Sequence, residues 1–313
     1  MARRRMLTTC IAPAVVVTAA GATLVVAKRR GWLYDESRIA KRLKVVSVSM
    51  RVDLDPRVNR LRMVDIVEAA RQAHPDVELV LFGEAILGWY SRKGKTAVYH
   101  RSIAESIPGE TTATISRLAK EYSIYISFGM SELREDLVYN SQVLIDPQGE
   151  IVAVHRKVNL QGSKSFQPGT VPVTLAQIKG VKTAIIICSD IQDRKVRSEL
   201  AAQQPELILG SLANPSDRNW FVNGMIAKMF DAWIVTANRY GAEDGFFFDG
   251  QMVVADPLGD LRLTAKDQAQ FIFYDIGFSV DRSPAIKVFR RAYVGLSLAV
   301  HFIKGLGMLS SDN

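Results

Sequence analysis

From Lys44 onward the chain alternates short apolar runs with amphipathic stretches. Lys44–Met50 (KVVSVSM) predicts a strand, and Pro56–His74 predicts a helix with Leu61, Val64, Val67 and Ala70 on one side at helical spacing. Glu78–Phe82 predicts a short buried strand that ends at Gly83-Glu84. A helix over Thr111–Tyr122 and a strand over Ile124–Met130 follow. Further on come apolar strands at Thr183–Cys188, Leu207–Ser211 and Trp233–Asn238, with a helix over Asp217–Ala232. This rhythm is that of an α/β protein whose helices cover sheet faces.

Two segments echo one another. Ser141–Val154 (SQVLIDPQGEIVAV) and Gly250–Leu263 (GQMVVADPLGDLRL) each set Asp-Pro-x-Gly between apolar runs. Pro fixes φ at the second turn position, Asp bonds back from the first, and Gly frees the fourth. Both predict β-hairpins. A hairpin in each half predicts two similar half-sheets packed on each other with helices outside. No Pro/Gly/Ser-rich linker interrupts the body, so a single folded domain is expected.

The ends differ from the body. Thr8–Ala27 runs about twenty positions without a charge, the length of a membrane-spanning helix. A cleavable signal peptide is the competing reading, but LVVAKRR ends in a basic stop rather than a small-residue cleavage site. A single-pass transmembrane anchor is expected, with residues 1–43 as anchor and basic juxtamembrane linker, 44–285 as the folded body, and 286–313 as a C-terminal helical extension. Three basic side chains precede the apolar segment and seven follow it up to Lys44, which places the body on the cytoplasmic side. The extension over Lys287–Leu309 reads either as a helix docked on its own domain or as one lying on a partner or a membrane surface.

Composition narrows the function classes. The 313 residues are 48% hydrophobic and 23% charged, an ordinary globular balance. The net charge of +8 sits largely near the N-terminus, without basic clusters interleaved with aromatics, so nucleic acid is not an expected partner. The two cysteines, Cys10 and Cys188, make no disulfide framework.

Three polar residues close apolar strands: Glu84, Lys157 and Cys188. Ligand sites in open α/β sheets gather outside strand ends. A thiol near neutrality needs a base and a nearby cation. Glu84 would take the thiol proton, Lys157 would steady a tetrahedral oxyanion, and the backbone N–H of Ser189 would be a second donor. Taken singly, each residue also has a structural reading: a solvated loop glutamate, a surface lysine, a core cysteine.

Together the segments resemble the nitrilase superfamily of carbon–nitrogen hydrolases. The matching pieces are VELVLFGEAILGWY around Glu84, SFGMSELREDLVYNSQVLIDPQGEIVAVHRKVNL through Lys157, and VKTAIIICSDIQ around Cys188. PELILGSLANP, AWIVTANRYG and DGQMVVADPLGDL follow, so the resemblance covers roughly 44–276. It implies a four-layer α-β-β-α sandwich, assembly into homodimers or higher oligomers across the outer helices, and no metal or organic cofactor. It also implies thiol attack on a small amide-like substrate through an acyl-enzyme, with Glu84, Lys157 and Cys188 as the catalytic residues. Trp89, Tyr90 and Asn214 join Ser189 as candidate pocket residues, and Asn238 is expected to be structural.

The chain departs from the family pattern at several points. Gly83 stands where Pro often precedes the glutamate, and Gly162 stands where a second glutamate is expected. Ser189-Asp190 follows the cysteine in place of Tyr-Asp, the aspartate favouring amidases over true nitrilases. Gln192-Asp193-Arg194-Lys195 replaces a common aromatic-proline-glutamate run. Two alternatives stay open: a membrane-bound N-acyltransferase of the same superfamily, and a catalytically degenerate membrane-tethered scaffold.

Overall fold

The computed structural model describes residues 39–215, 219–266 and 270–279. The expected anchor over 1–43, up to residue 38, and the extension over 286–313 lie outside the described residues. Among the described residues no helix is long and apolar enough to cross a membrane. Residues 42–276 form one compact unit, and residues 1–41 with 277–313 form a second. Of the second unit only Ile39–Lys41 and Gly277–Ser279 are described, all of them in strand.

The elements run β1 (Ile39–Arg51), α1 (Pro56–Ala73), β2 (Leu79–Leu81), α2 (Thr96–Ile103), α3 (Glu110–Tyr122), β3 (Tyr125–Arg134), β4 (Leu137–Ile145) and β5 (Ile151–Arg156). The later half carries β6 (Thr174–Ile178), β7 (Val181–Ile187), a 3-10 turn (Cys188–Gln192), α4 (Arg194–Gln203), β8 (Leu207–Ser211) and α5 (Asn219–Phe230). It closes with β9 (Trp233–Glu243), β10 (Phe246–Asp249), β11 (Met252–Ala255), β12 (Leu261–Ala265) and β13 (Phe271–Ser279). The strands follow one hydrogen-bonded path, β5-β4-β3-β2-β1-β9-β8-β7-β6.

The two expected half-sheets are therefore joined. Ser49, Met50 and Arg51 pair in parallel with Asn238, Arg239 and Tyr240, which stitches β1 to β9. The face-to-face packing follows from burial on both sides of the central strands. In β1, Val46, Val48 and Met50 meet Met63, Val67, Ala70, Ile115 and Ala119 of α1 and α3. The alternate residues Val45, Ser47 and Ser49 are equally buried, on the opposite face. In β7, Ala184 and Ile186 meet Val196, Leu200, Ile226 and Phe230 of α4 and α5, while Ile185 and Ile187 are buried on the other face. Helices thus cover the outer face of each half, and the inner faces cover each other.

The hairpins repeat in atomic detail. Oδ1 of Asp146 accepts from the N–H groups of Gln148 and Glu150, each at 2.9 Å. Oδ1 of Asp256 accepts from Leu258 at 2.8 Å and Asp260 at 3.0 Å. Gly149 and Gly259 close the two turns at φ 83° and 82°, a backbone that favours glycine.

One expected face is corrected. In α1, Leu61 is 67% exposed, and the buried positions are Asn59, Arg60, Met63, Val67 and Ala70. Arg60 takes an inward position because partners await it: Glu105 at 3.3 Å, Thr111 Oγ1 at 3.2 Å and Glu110 at 2.5 Å. These partners satisfy the Arg60 guanidinium in its buried position.

Candidate active site

Three strand ends deliver Glu84, Lys157 and Cys188 to one place. Glu84 follows β2, Lys157 follows β5, and Cys188 opens the 3-10 turn after β7. Glu84 is fully buried and Lys157 is 3% exposed. The Lys157 ammonium donates to Oε1 of Glu84 at 2.6 Å. Asn140 Nδ2 donates to the same oxygen at 2.7 Å, and the N–H of Ala213 donates to Oε2 at 3.0 Å. A buried pair held by this many hydrogen bonds keeps its geometry.

Cys188 stands beside this pair in a left-handed backbone conformation, φ 43°, which a side chain rarely adopts. Cys188 as a residue is half-buried, and protein surrounds its sulfur densely. Burial pushes the thiol up to about 12, and the Glu84 charge adds to that, while Lys157 and the Ala213 N–H oppose it. The resting sulfur is a neutral thiol. Burial alone would lower the Lys157 ammonium, but the Glu84 charge leads the effects that reverse this, and the net shift is upward.

Tyr90 completes the cluster. Lys157 Nζ lies 3.4 Å from its hydroxyl and 5.8 Å from its ring centroid. The Glu84 charge, followed by burial, raises its pKa, so the group stays a phenol. Trp89 points elsewhere: its indole N–H donates to the Val52 carbonyl at 3.1 Å, and its ring packs on the helix-side core. Ser189 is buried, with its hydroxyl committed to the Asn159 carbonyl at 2.6 Å. Its N–H belongs to the first amides of the 3-10 turn, which lack partners within the turn. Asn214 exchanges two bonds with buried Asn238, at 3.1 and 3.0 Å.

Other buried groups set the positions of these residues. Asp190 Oδ1 accepts from the N–H groups of Val158 and Asn159 at 2.8 and 2.9 Å. Its Oδ2 accepts from the Ile187 N–H and faces His155 Nε2, both at 2.9 Å. One side chain therefore ties the segment after Lys157 to the turn that carries Cys188. Asn140, on β4, also accepts the N–H of Lys157 at its carbonyl, at 2.8 Å. Arg239 is wholly buried and grips Glu243, whose Oε2 accepts the N–H of Tyr90 at 2.7 Å. Sequence reasoning missed Asn140, His155, Arg239 and Glu243. The signal was there: a polar residue inside VYNSQVLI, and an Arg followed four positions on by Glu at the end of WIVTANRYGAE.

The departures from the family pattern have structural counterparts. A Cβ on Gly83 would lie 3.0 Å from the Leu212 carbonyl oxygen and from the Asn238 carbonyl carbon. The chain passes tightly there, which suits glycine. Gly162 sits at φ 80°, and a Cβ there would meet nothing within 4 Å. Among the described residues Glu84 is the one carboxylate paired with Lys157. Among the described residues no group of three or more His, Cys, Asp or Glu side chains could hold a metal ion.

The model of the carbon–nitrogen hydrolase family matches residues 44–279. A nitrilase of Pyrococcus abyssi is 28% identical over 233 residues, covering 72% of this chain and 86% of that protein. An (R)-stereoselective amidase of a Pseudomonas species is 27% identical over 206 residues, covering 63% and 72%. Saccharomyces cerevisiae Nit3, a member of branch 10 of the nitrilase superfamily, has a similar fold, with a TM-score of 0.68 at 20% identity, covering 81% of this chain and 95% of that one. The chain belongs to the carbon–nitrogen hydrolase family, the nitrilase superfamily of enzymes.

Proposed function

We propose that the protein hydrolyses a small amide-like substrate through an acyl-enzyme on Cys188. The observation that carries this reading is the buried Glu84–Lys157 pair at 2.6 Å beside the half-buried Cys188. Because the thiol is held neutral, attack and deprotonation are concerted. The sulfur bonds to the carbonyl carbon as Glu84 takes its proton. Lys157 and the Ser189 N–H stabilise the oxyanion. Glu84 then protonates the leaving nitrogen as the C–N bond breaks. Water attacks the thioester, Glu84 takes a proton from it, and the C–S bond breaks to release acid and thiol. Tyr90 flanks the ammonium as a neutral phenol, and Asn214 lies three residues past the end of β8.

Amide substrates are favoured over nitriles on the strength of Asp190 and the named amidase relative. We further infer a homodimer or higher oligomer and a single-pass membrane protein with its body on the cytoplasmic side. One observation favours a second reading, a degenerate scaffold: Lys157 has a single carboxylate partner, and the loop at Gly162 offers none. Intact-mass spectrometry with a panel of amides, nitriles and acyl esters separates the two. An added mass on Cys188 that is absent in Glu84→Gln supports the hydrolase. No adduct with any of them would move the assignment to the scaffold.

A further inference from the structure

We propose that the β9–β10 hairpin and the loop after Tyr90 form a docking surface for an anionic phospholipid bilayer. The two aromatic residues at its centre, Phe246 and Phe247, are 45% and 57% exposed. They lie on β10, which pairs only with β9 among the described strands. As successive strand residues they point to opposite faces of the hairpin, Phe246 stacked on Phe248 and Phe247 edge-on to Tyr240, so each face of this sheet edge presents an exposed ring.

Cations flank them on both sides. Phe247 meets Tyr240 edge-on at 6.2 Å, and the Arg51 guanidinium lies 5.6 Å over the Tyr240 ring. On the other side, the hairpin tip binds the basic loop: Asp244 Oδ2 accepts the N–H of Lys93 at 2.6 Å and lies 3.9 Å from Arg92 Nε. The side chains of Lys93 and Lys95 are exposed, and no carboxylate among the described residues pairs with them or with Arg51. Aromatic rings among unpaired cations match the headgroup region of an anionic leaflet, where rings sit at the interface and basic side chains meet lipid phosphates. A second copy of the chain is the poorer occupant, because a two-fold contact would set the same unpaired cations against themselves.

The surface is continuous with the site. Tyr90, which touches Lys157, lies three positions before Lys93, and its N–H is held by Glu243 on the same hairpin. A bilayer seated here would lie against the segment that carries Tyr90. The inference concerns this unit alone and stands apart from the anchor expected over Thr8–Ala27.

Hydrogen exchange on the full chain tests it, with vesicles of phosphatidylcholine alone and of phosphatidylcholine with phosphatidylglycerol. The expected result is exchange slowed several-fold over 90–95 and 240–249 with the anionic vesicles and not with the neutral ones. Phe246→Ser/Phe247→Ser and, separately, Lys93→Glu/Lys95→Glu should each abolish that protection while the thermal transition stays in place. Protection confined to the N-terminal segment would overturn the proposal. So would protection of 240–249 that appears without lipid and grows with protein concentration, which would assign the surface to a second copy.

Discussion

Arg239 holds Glu84 by its main chain. Nη1 donates to the carbonyl of Glu84 at 3.0 Å and to that of Ala85 at 2.8 Å, while Nη2 reaches the Gly88 carbonyl at 2.6 Å. Its remaining donors go to Glu243, so one buried guanidinium spans the segment between the carboxylate and Tyr90. Arg239→Leu leaves Glu243 buried and unpaired, a loss on the order of 3–5 kcal/mol of stability. Arg239→Lys keeps the charge but cannot reproduce the planar fork. It should melt closer to wild type and still lose most activity, a split that thermal denaturation and kcat measured side by side will reveal.

Glu84→Gln should separate two reactivities of one sulfur. Hydrolysis is expected to fall at least about a hundredfold, as for loss of a general base. Alkylation of Cys188 by iodoacetamide should rise several-fold at pH 9, because removing the carboxylate charge lowers the thiol. Alkylation that slows along with hydrolysis would contradict a thiol held neutral by Glu84.

Lys157→Ala removes the cation from a buried pair, and the cost should appear in stability as well as rate. Glu84 would keep Asn140 and the Ala213 N–H but lose its counter-charge. A loss of roughly 3–5 kcal/mol is expected, together with near-complete loss of turnover. Cys188→Ala, in contrast, should abolish turnover and leave the melting temperature within a few degrees of wild type. Calorimetry of the two variants under one buffer condition makes the comparison.

His100 should make the fold acid-sensitive. Burial, the leading cause, lowers its pKa from 6.5 to about 4, in a site where Nδ1 faces Ser131 and Nε2 faces the Tyr90 carbonyl. Between those values the unfolded imidazole binds a proton that the folded one does not, so stability is lost as the pH falls. By pH 5 the loss attributable to this residue is on the order of 2 kcal/mol. His100→Gln should show a smaller drop in melting temperature between pH 7.5 and pH 5 than wild type.

The strands, the hairpins and the three strand-end residues were legible because each leaves a local pattern: an apolar run that stops, or a turn with Asp-Pro-x-Gly. The rotation of α1 was not, since Arg60 turns inward toward Glu105 and Thr111, which lie far along the chain. Asn140 and Arg239 escaped for the same reason. Their roles depend on Glu84, at separations of 56 and 155 positions. The Trp89-Tyr90 pair shows the limit of adjacency: neighbours in sequence, one faces the ammonium and the other the helix-side core.

The parallel ladder between β1 and β9 has a kinetic consequence. It joins residues 189 positions apart, as the bond from the Ser47 hydroxyl to the Thr236 carbonyl also does. Contacts of such sequence separation form late, after the loop-closure entropy between them has been met. Glu84 and Lys157 come from the early half of the chain, whereas Ala213 and Arg239 arrive with the later one. A chain that has folded only its first half therefore carries the carboxylate and the ammonium without the thiol, and the complete constellation arises only once the two halves are joined. Recovery of thiol chemistry during refolding should then track that last step, lagging behind the return of secondary structure.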